Sequence, residues 1–174
     1  MRLFLNILGF QTAWWACIAG VGRGLEIPAL VYGLVLAGLH LRFAHEPQQE
    51  AKLAVLALVV GIAADTLLQT TSVISFYGWA LGPLSPFWLW LLWALFAMTL
   101  NTSLKFLQSH TLWLSVAAGL VFGPLTYYAG AQLGAASFDS TPIHFGALAI
   151  TWGLALPVLV NAAKQFFTSP KGLS

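Results

Sequence analysis

A single acid, Asp65, interrupts the run LVVGIAADTLLQTT between Leu58 and Thr71, which otherwise suits a lipid environment. An acidic side chain at the centre of a membrane helix costs roughly 2.5–3.5 kcal/mol on insertion scales. Acids in such places serve proton, ion or ligand sites, or they tie helices together through polar contacts. Gly61 and Gln69 lie four residues to either side, with Ser72 further along, so this face of the helix is expected to turn toward protein. Side chains able to answer Asp65 from other segments are Tyr127, Tyr128, Thr151, Arg23 and His144. Tyr127 is the expected hydrogen-bond partner and Arg23 the expected counter-ion. With Tyr127, Asp65 would make an acid–base pair or a proton site; alone, it would be a polar anchor for a guest or a pin between helices. A second polar group comprises Asn6, Gln11, Asn101, Ser103 and Lys105. Interhelical amide contacts contribute about 0.6 kcal/mol on average. The alternative role for this group is recognition of a lipid headgroup, with Lys105 and Lys52 supplying positive charge.

Recognisable catalytic motifs are missing. There is no Gly-rich phosphate loop and no HExxH zinc motif, so no cofactor and no metal site are expected, and enzymatic activity is left open. His40 and His45 are out of register for one helix face, and Cys17, the single cysteine, reads as a small packing residue. The NTS triplet at Asn101 falls inside a predicted span and is discounted as a glycosylation site. No run of basic and aromatic residues suggests nucleic acid.

The elements that must position these residues follow from composition. Of 174 residues, 59% are hydrophobic and 7% charged, against about 25% charged in soluble domains. A water-facing surface cannot be built from that inventory, so the chain reads as all-α, a polytopic transmembrane bundle forming a single domain over residues 1–174. Segments of about 20 apolar residues cross the hydrocarbon. Six are expected: Leu3 to Val21, Ile27 to Phe43, Leu53 to Thr71, Pro86 to Leu107, Leu112 to Leu133 and Ile143 to Phe167. The first has polar interruptions at Asn6 and Gln11 and is taken as a retained span, not a signal peptide. With six spans, Arg2, Arg42, Lys52, Lys105, Lys164 and Lys171 share one side and Arg23 has the other. Cytoplasmic segments are enriched in Lys and Arg, so both termini are expected in the cytoplasm. Trp79 and Trp88 are expected near the outer interface and Trp113 near the inner one.

Small residues should carry the packing, because lipid tails are as apolar as leucine. Gly119, Gly123, Gly130 and Gly134 recur at helical spacing around Tyr127, and Gly9, Ala13, Ala16 and Gly20 form a similar stripe. Pro124 and Pro157 each remove a helix hydrogen bond. Their loosened carbonyls are tolerated where they face protein or water, which suggests an inter-helix cavity near Asp65.

Four stretches, NILGFQTAWW, GIAADTLL, PFWLWLLWALFAMTLNTSLKFL and GPLTYYAGAQLGA, together resemble the bacterial inner-membrane proteins grouped as domain-of-unknown-function family 2878. The resemblance covers most of the chain. It implies a multi-pass protein of the bacterial inner (plasma) membrane and transfers no residue role. Members are encoded near enzymes resembling cyclopropane-fatty-acid synthases, which associates the family with membrane lipid. The leading expectation is an accessory or ligand-binding component in membrane-lipid metabolism. Its expected partners are membrane lipids, a hydrophobic small molecule, a second copy of the chain or a partner membrane protein. The alternatives are a small proton-coupled carrier using Asp65 and a membrane enzyme with an Asp65/Tyr127 acid–base pair.

Overall fold

The computed structural model describes residues 2–168. Lys171 and the Arg2 side chain, both used in the charge argument, lie outside the described residues. The helices are α1 (Arg2–Arg23), α2 (Glu26–Phe43), α3 (Pro47–Thr70), α4 (Phe87–Ala97), α5 (Phe106–Ser109), α6 (Leu112–Gln132) and α7 (Pro142–Thr168). Five of these described helices, α1, α2, α3, α6 and α7, are long and apolar enough to cross a membrane. Their outward faces carry Leu34, Val59, Phe122 and Leu154, each more than half exposed, whereas Asp65, Thr99 and Ser115 are buried. An apolar outer face with acid and hydroxyl side chains enclosed in the bundle fits lipid as the surrounding solvent.

The fourth expected span requires correction. Helix α4 has 11 residues and rises about 16 Å, roughly half of the ~30 Å hydrocarbon core. From Met98 to Lys105 the chain runs in turns before the single turn of α5. Thr99 starts the break: its Oγ1 donates to the Phe96 carbonyl at 2.6 Å, and its own carbonyl accepts from the Leu104 N–H at 2.8 Å. Side chains such as threonine compete with helix hydrogen bonding in this way. The backbone groups set free are answered by side chains. Asn6 Nδ2 donates to the Met98 carbonyl at 3.3 Å, and Gln108 Nε2 donates to the Leu100 carbonyl at 2.8 Å. Irregular backbone at membrane depth persists where protein satisfies it, and here Asn6 and Gln108 do so.

Helices α1, α3 and α6 end at a common end of the bundle, and all three by one device. In each, the residue after the C-cap adopts a left-handed backbone: Gly24 (φ 70°), Ser72 (φ 60°) and Gly134 (φ 85°). The N–H one residue later then reaches back to the last turn, as in Leu25 to Gly20 (2.8 Å), Val73 to Leu68 (2.9 Å) and Ala135 to Gly130 (3.0 Å). A two-residue antiparallel ladder, β1 (Ser75–Phe76) with β2 (Ala136–Ser137), then joins the α3–α4 connector to the α6–α7 connector. Serine pays a steric cost in that conformation that glycine does not. Ser72→Gly is therefore expected to stabilise by up to about 1 kcal/mol, read as a rise of about 2–4 °C in thermal midpoint.

At the same end Trp88 packs inside the bundle. It is 3% exposed and its Nε1 donates to the Tyr77 carbonyl at 2.8 Å, fixing the connector to α4. Trp79 and Trp113 are exposed. Glu26, in the first turn of α2, is buried and accepts from the Trp79 N–H at 2.8 Å; composition offered no sign of this contact. Cys17 is fully buried in the α1–α2–α4 core. A thiol-specific maleimide should leave it unlabelled in the folded protein and modify it fully after denaturation.

Candidate functional site

Gly61 decides how Asp65 is surrounded. A Cβ at that position would lie 2.1 Å from Trp93 Cγ, so only glycine lets the Trp93 indole lie across α3. One turn further on, Trp93 Nε1 donates to Asp65 Oδ2 at 2.8 Å. From α6 the Tyr127 hydroxyl donates to Asp65 Oδ1. Asp65 itself is 0% exposed. Behind it the Trp93 ring stacks on Trp152 of α7, centroids 4.5 Å apart and planes 12° from parallel. Trp152 in turn is seated on two glycines of α6. A Cβ at Gly119 would meet the Trp152 carbonyl oxygen at 2.2 Å, and one at Gly123 would meet the Trp152 Cβ at 2.4 Å. Glycine, indole, indole, glycine: the sequence of contacts runs from α3 through α4 and α7 to α6, with Asp65 hydrogen-bonded to its first indole, Trp93.

The hydrogen bond expected from Tyr127 is therefore present, but the other candidate partners lie elsewhere. Arg23 is exposed at the end of α1. Its expected ion pair with Asp65 is replaced by two neutral donors, which reach a fully enclosed carboxyl more cheaply than a long charged side chain can. Gln69 reaches the Pro83 carbonyl at 3.4 Å. Tyr128 turns outward against Phe145, and Thr151 bonds back to the Ala147 carbonyl at 2.9 Å. His144, in the first turn of α7, bonds back to the Asp139 carbonyl of the preceding connector at 2.7 Å. Trp93, which completes the Asp65 site, lies in the stretch PFWLWLLWALFAMTLNTSLKFL, where nothing local sets it apart from its neighbouring tryptophans. Its distance of 28 residues along the chain hides the contact from any local pattern.

The second polar group divides as well. Asn6 Oδ1 accepts from Ser103 Oγ at 2.6 Å, and Asn101 Oδ1 accepts from Gln108 Nε2 at 2.8 Å. Gln11 is exposed and takes no part: it lies five residues beyond Asn6, more than one turn, and so points off that face. Lys105 borders the same region.

Two cavities differ by an order of magnitude. The space beside Asp65, lined by Phe10, Trp14, Trp93, Tyr127 and Trp152, has a volume of about 60 Å³. At the opposite end of the bundle a cavity of about 650 Å³ lies between the N-terminal half of α1, the end of α2, the start of α3 and the α4–α5 break. Leu5 and Phe167 both line it, so the two ends of the described chain meet at one end of the bundle. Its walls are apolar at Leu36, Leu39, Phe43 and Leu95 and polar at Asn6, His40, Glu50, Asn101 and Gln108. Among the described residues no group of three or more His, Cys, Asp and Glu side chains is placed to hold a metal ion.

The sequence model of a family described as protein of unknown function (DUF2878) matches residues 3–158. The chain belongs to that family. The match takes in every residue of the DUF2878 chain that surrounds Asp65, and all of the large cavity's lining except Phe167. No curated protein and no solved structure matches it.

Proposed function

We propose that this DUF2878 protein is a multi-pass protein of the bacterial inner membrane, with both termini cytoplasmic. In this reading it binds an amphipathic, lipid-class guest as an accessory component of membrane-lipid metabolism. The observation that carries the reading is volume. Ligand sites occupy about 300–1,000 Å³, and the cavity of about 650 Å³ has that size and a mixed apolar and polar lining. The space of about 60 Å³ beside Asp65 is water-sized, since one water takes about 30 Å³. The guest is therefore assigned to the larger cavity, and Asp65 to holding α3, α4 and α6 in register around it. The orientation rests on Arg42, Lys52, Lys105 and Lys164 at the cavity end against Arg23 at the other.

Gly9 provides the test. It lines the large cavity, and a Cβ there would meet nothing within 4 Å, so a bulky side chain can enter without disturbing the backbone. Gly9→Trp is expected to keep the thermal midpoint of the unaltered protein and to lose the lipid retained through purification, measured by native mass spectrometry. Equal retention by the two proteins would remove the cavity from consideration.

The direct Asp65–Tyr127 hydrogen bond favours a second reading, a proton site serving a small carrier or a membrane enzyme, because proton transfer needs that contact. Proteoliposome uptake that responds to an imposed pH gradient, and fails in Tyr127→Phe, would favour it over simple binding.

A further inference from the structure

Three polar atoms in the large cavity are buried and make no hydrogen bond among the described residues: His40 Nε2, Glu50 Oε2 and Asn101 Nδ2. They come from α2, α3 and the α4–α5 break, and all three residues line the cavity of about 650 Å³. Glu50 is 6% exposed. His40 Nε2 stands 3.5 Å from Glu50 Oε2, inside ion-pair range but longer than a protein hydrogen bond. Buried polar groups are rarely left without a hydrogen bond, and leaving one so is costly, so three such atoms converging on one ligand-sized space mark the place of an absent hydrogen-bonding partner.

The atoms define that partner. Glu50 Oε2 is an acceptor in need of a donor, and a carboxylate favours a cation. Asn101 Nδ2 is a donor in need of an acceptor, and Lys105, which lines the same cavity, adds a positive charge. Apolar walls at Leu36, Leu39 and Phe43 exclude a wholly polar guest. From these observations, and resting on the cavity being the binding site, we infer that the cavity selects a phosphodiester bearing a primary ammonium, the chemistry of an ethanolamine headgroup. Glu50 receives the ammonium; Asn101 and Lys105 hold the phosphate. A trimethylated ammonium offers no N–H and leaves Glu50 Oε2 without a hydrogen bond, so the two headgroups are told apart.

The test compares the full chain in vesicles containing equal phosphatidylethanolamine, phosphatidylcholine and phosphatidylglycerol, followed by native mass spectrometry of the lipid retained. The expected result is roughly tenfold enrichment of the ethanolamine lipid over the choline lipid. Glu50→Gln should reduce that to near parity. Asn101→Leu should weaken retention of all three. Calorimetry with soluble glycerophosphoethanolamine identifies the source. Binding with the same Glu50 dependence supports the headgroup chemistry with a free diester as ligand, and binding of the bilayer form alone supports it with the lipid. Retained lipid that mirrors the vesicles, or unchanged selectivity in Glu50→Gln, overturns the headgroup assignment and leaves the cavity as a binding site. No retained lipid and no calorimetric signal in the unaltered protein overturns both.

Discussion

An Asp65→Leu variant is expected to melt about 5–10 °C below the unaltered protein in detergent. The substitution strips two buried donors, Trp93 Nε1 and the Tyr127 hydroxyl, of their acceptor. In soluble proteins each orphaned donor costs roughly 1–3 kcal/mol. Interhelical hydrogen bonds in membranes average about 0.6 kcal/mol and reach about 1.7, because the unfolded chain also finds partners in lipid. Two such contacts to one carboxyl place the loss near 2–3 kcal/mol, and a chain of this size shifts by about 2–4 °C per kcal/mol. Pairing the change with Tyr127→Phe removes one orphan, so the double variant should lose less than the sum of the singles, and a double-mutant cycle measures that coupling. Asp65→Asn should fall between, since it keeps an acceptor for one donor and turns an N–H₂ toward the other. A melting point unmoved by Asp65→Leu would show that the acid does not hold the helices. A stable Asp65→Asn protein that fails to complement a deletion strain would restore the proton-site reading.

The larger loss is expected from Gly119→Leu. A Cβ there would sit 2.2 Å from the Trp152 carbonyl oxygen and 2.6 Å from its carbonyl carbon, both backbone atoms of a helix that cannot rotate away as a side chain would. Overpacking a core costs typically 1–3 kcal/mol and occasionally more; moving one helix from another lies at or beyond the upper end. Separating α6 from α7 would also lift Trp152 from Trp93, and so disturb the indole that serves Asp65. The expected result is loss of the monodisperse peak on size-exclusion chromatography, with fluorescence of the eight tryptophans shifted toward that of the unfolded chain. Gly146→Leu is the control: a Cβ at that helical glycine meets nothing within 4 Å, so the protein should purify normally. Equal behaviour of the two variants would contradict the close approach of α6 and α7.

What the sequence determined by itself is the solvent. So few charges and so many apolar residues fit a chain surrounded by lipid, and the five long helices follow from the length of their apolar runs. The inward turn of Asp65 was legible too, because lipid offers an acid nothing and the bundle offers donors. Tertiary structure decided the rest, and the reasons are geometric. The fourth apolar run is long enough to span, yet α4 stops at Ala97, because side chains from α1 and α5 can satisfy the carbonyls a break releases and no hydropathy average counts that. Trp93 rather than Arg23 answers Asp65, since a glycine on α3 makes room for the indole. The paired His40 and Glu50 were invisible to helical register because they lie on different helices, brought face to face by the reversal between α2 and α3. Periodicity reports which way a residue faces along its own helix; which residue of another helix stands opposite depends on how closely the two backbones approach, and in this chain glycines set that distance.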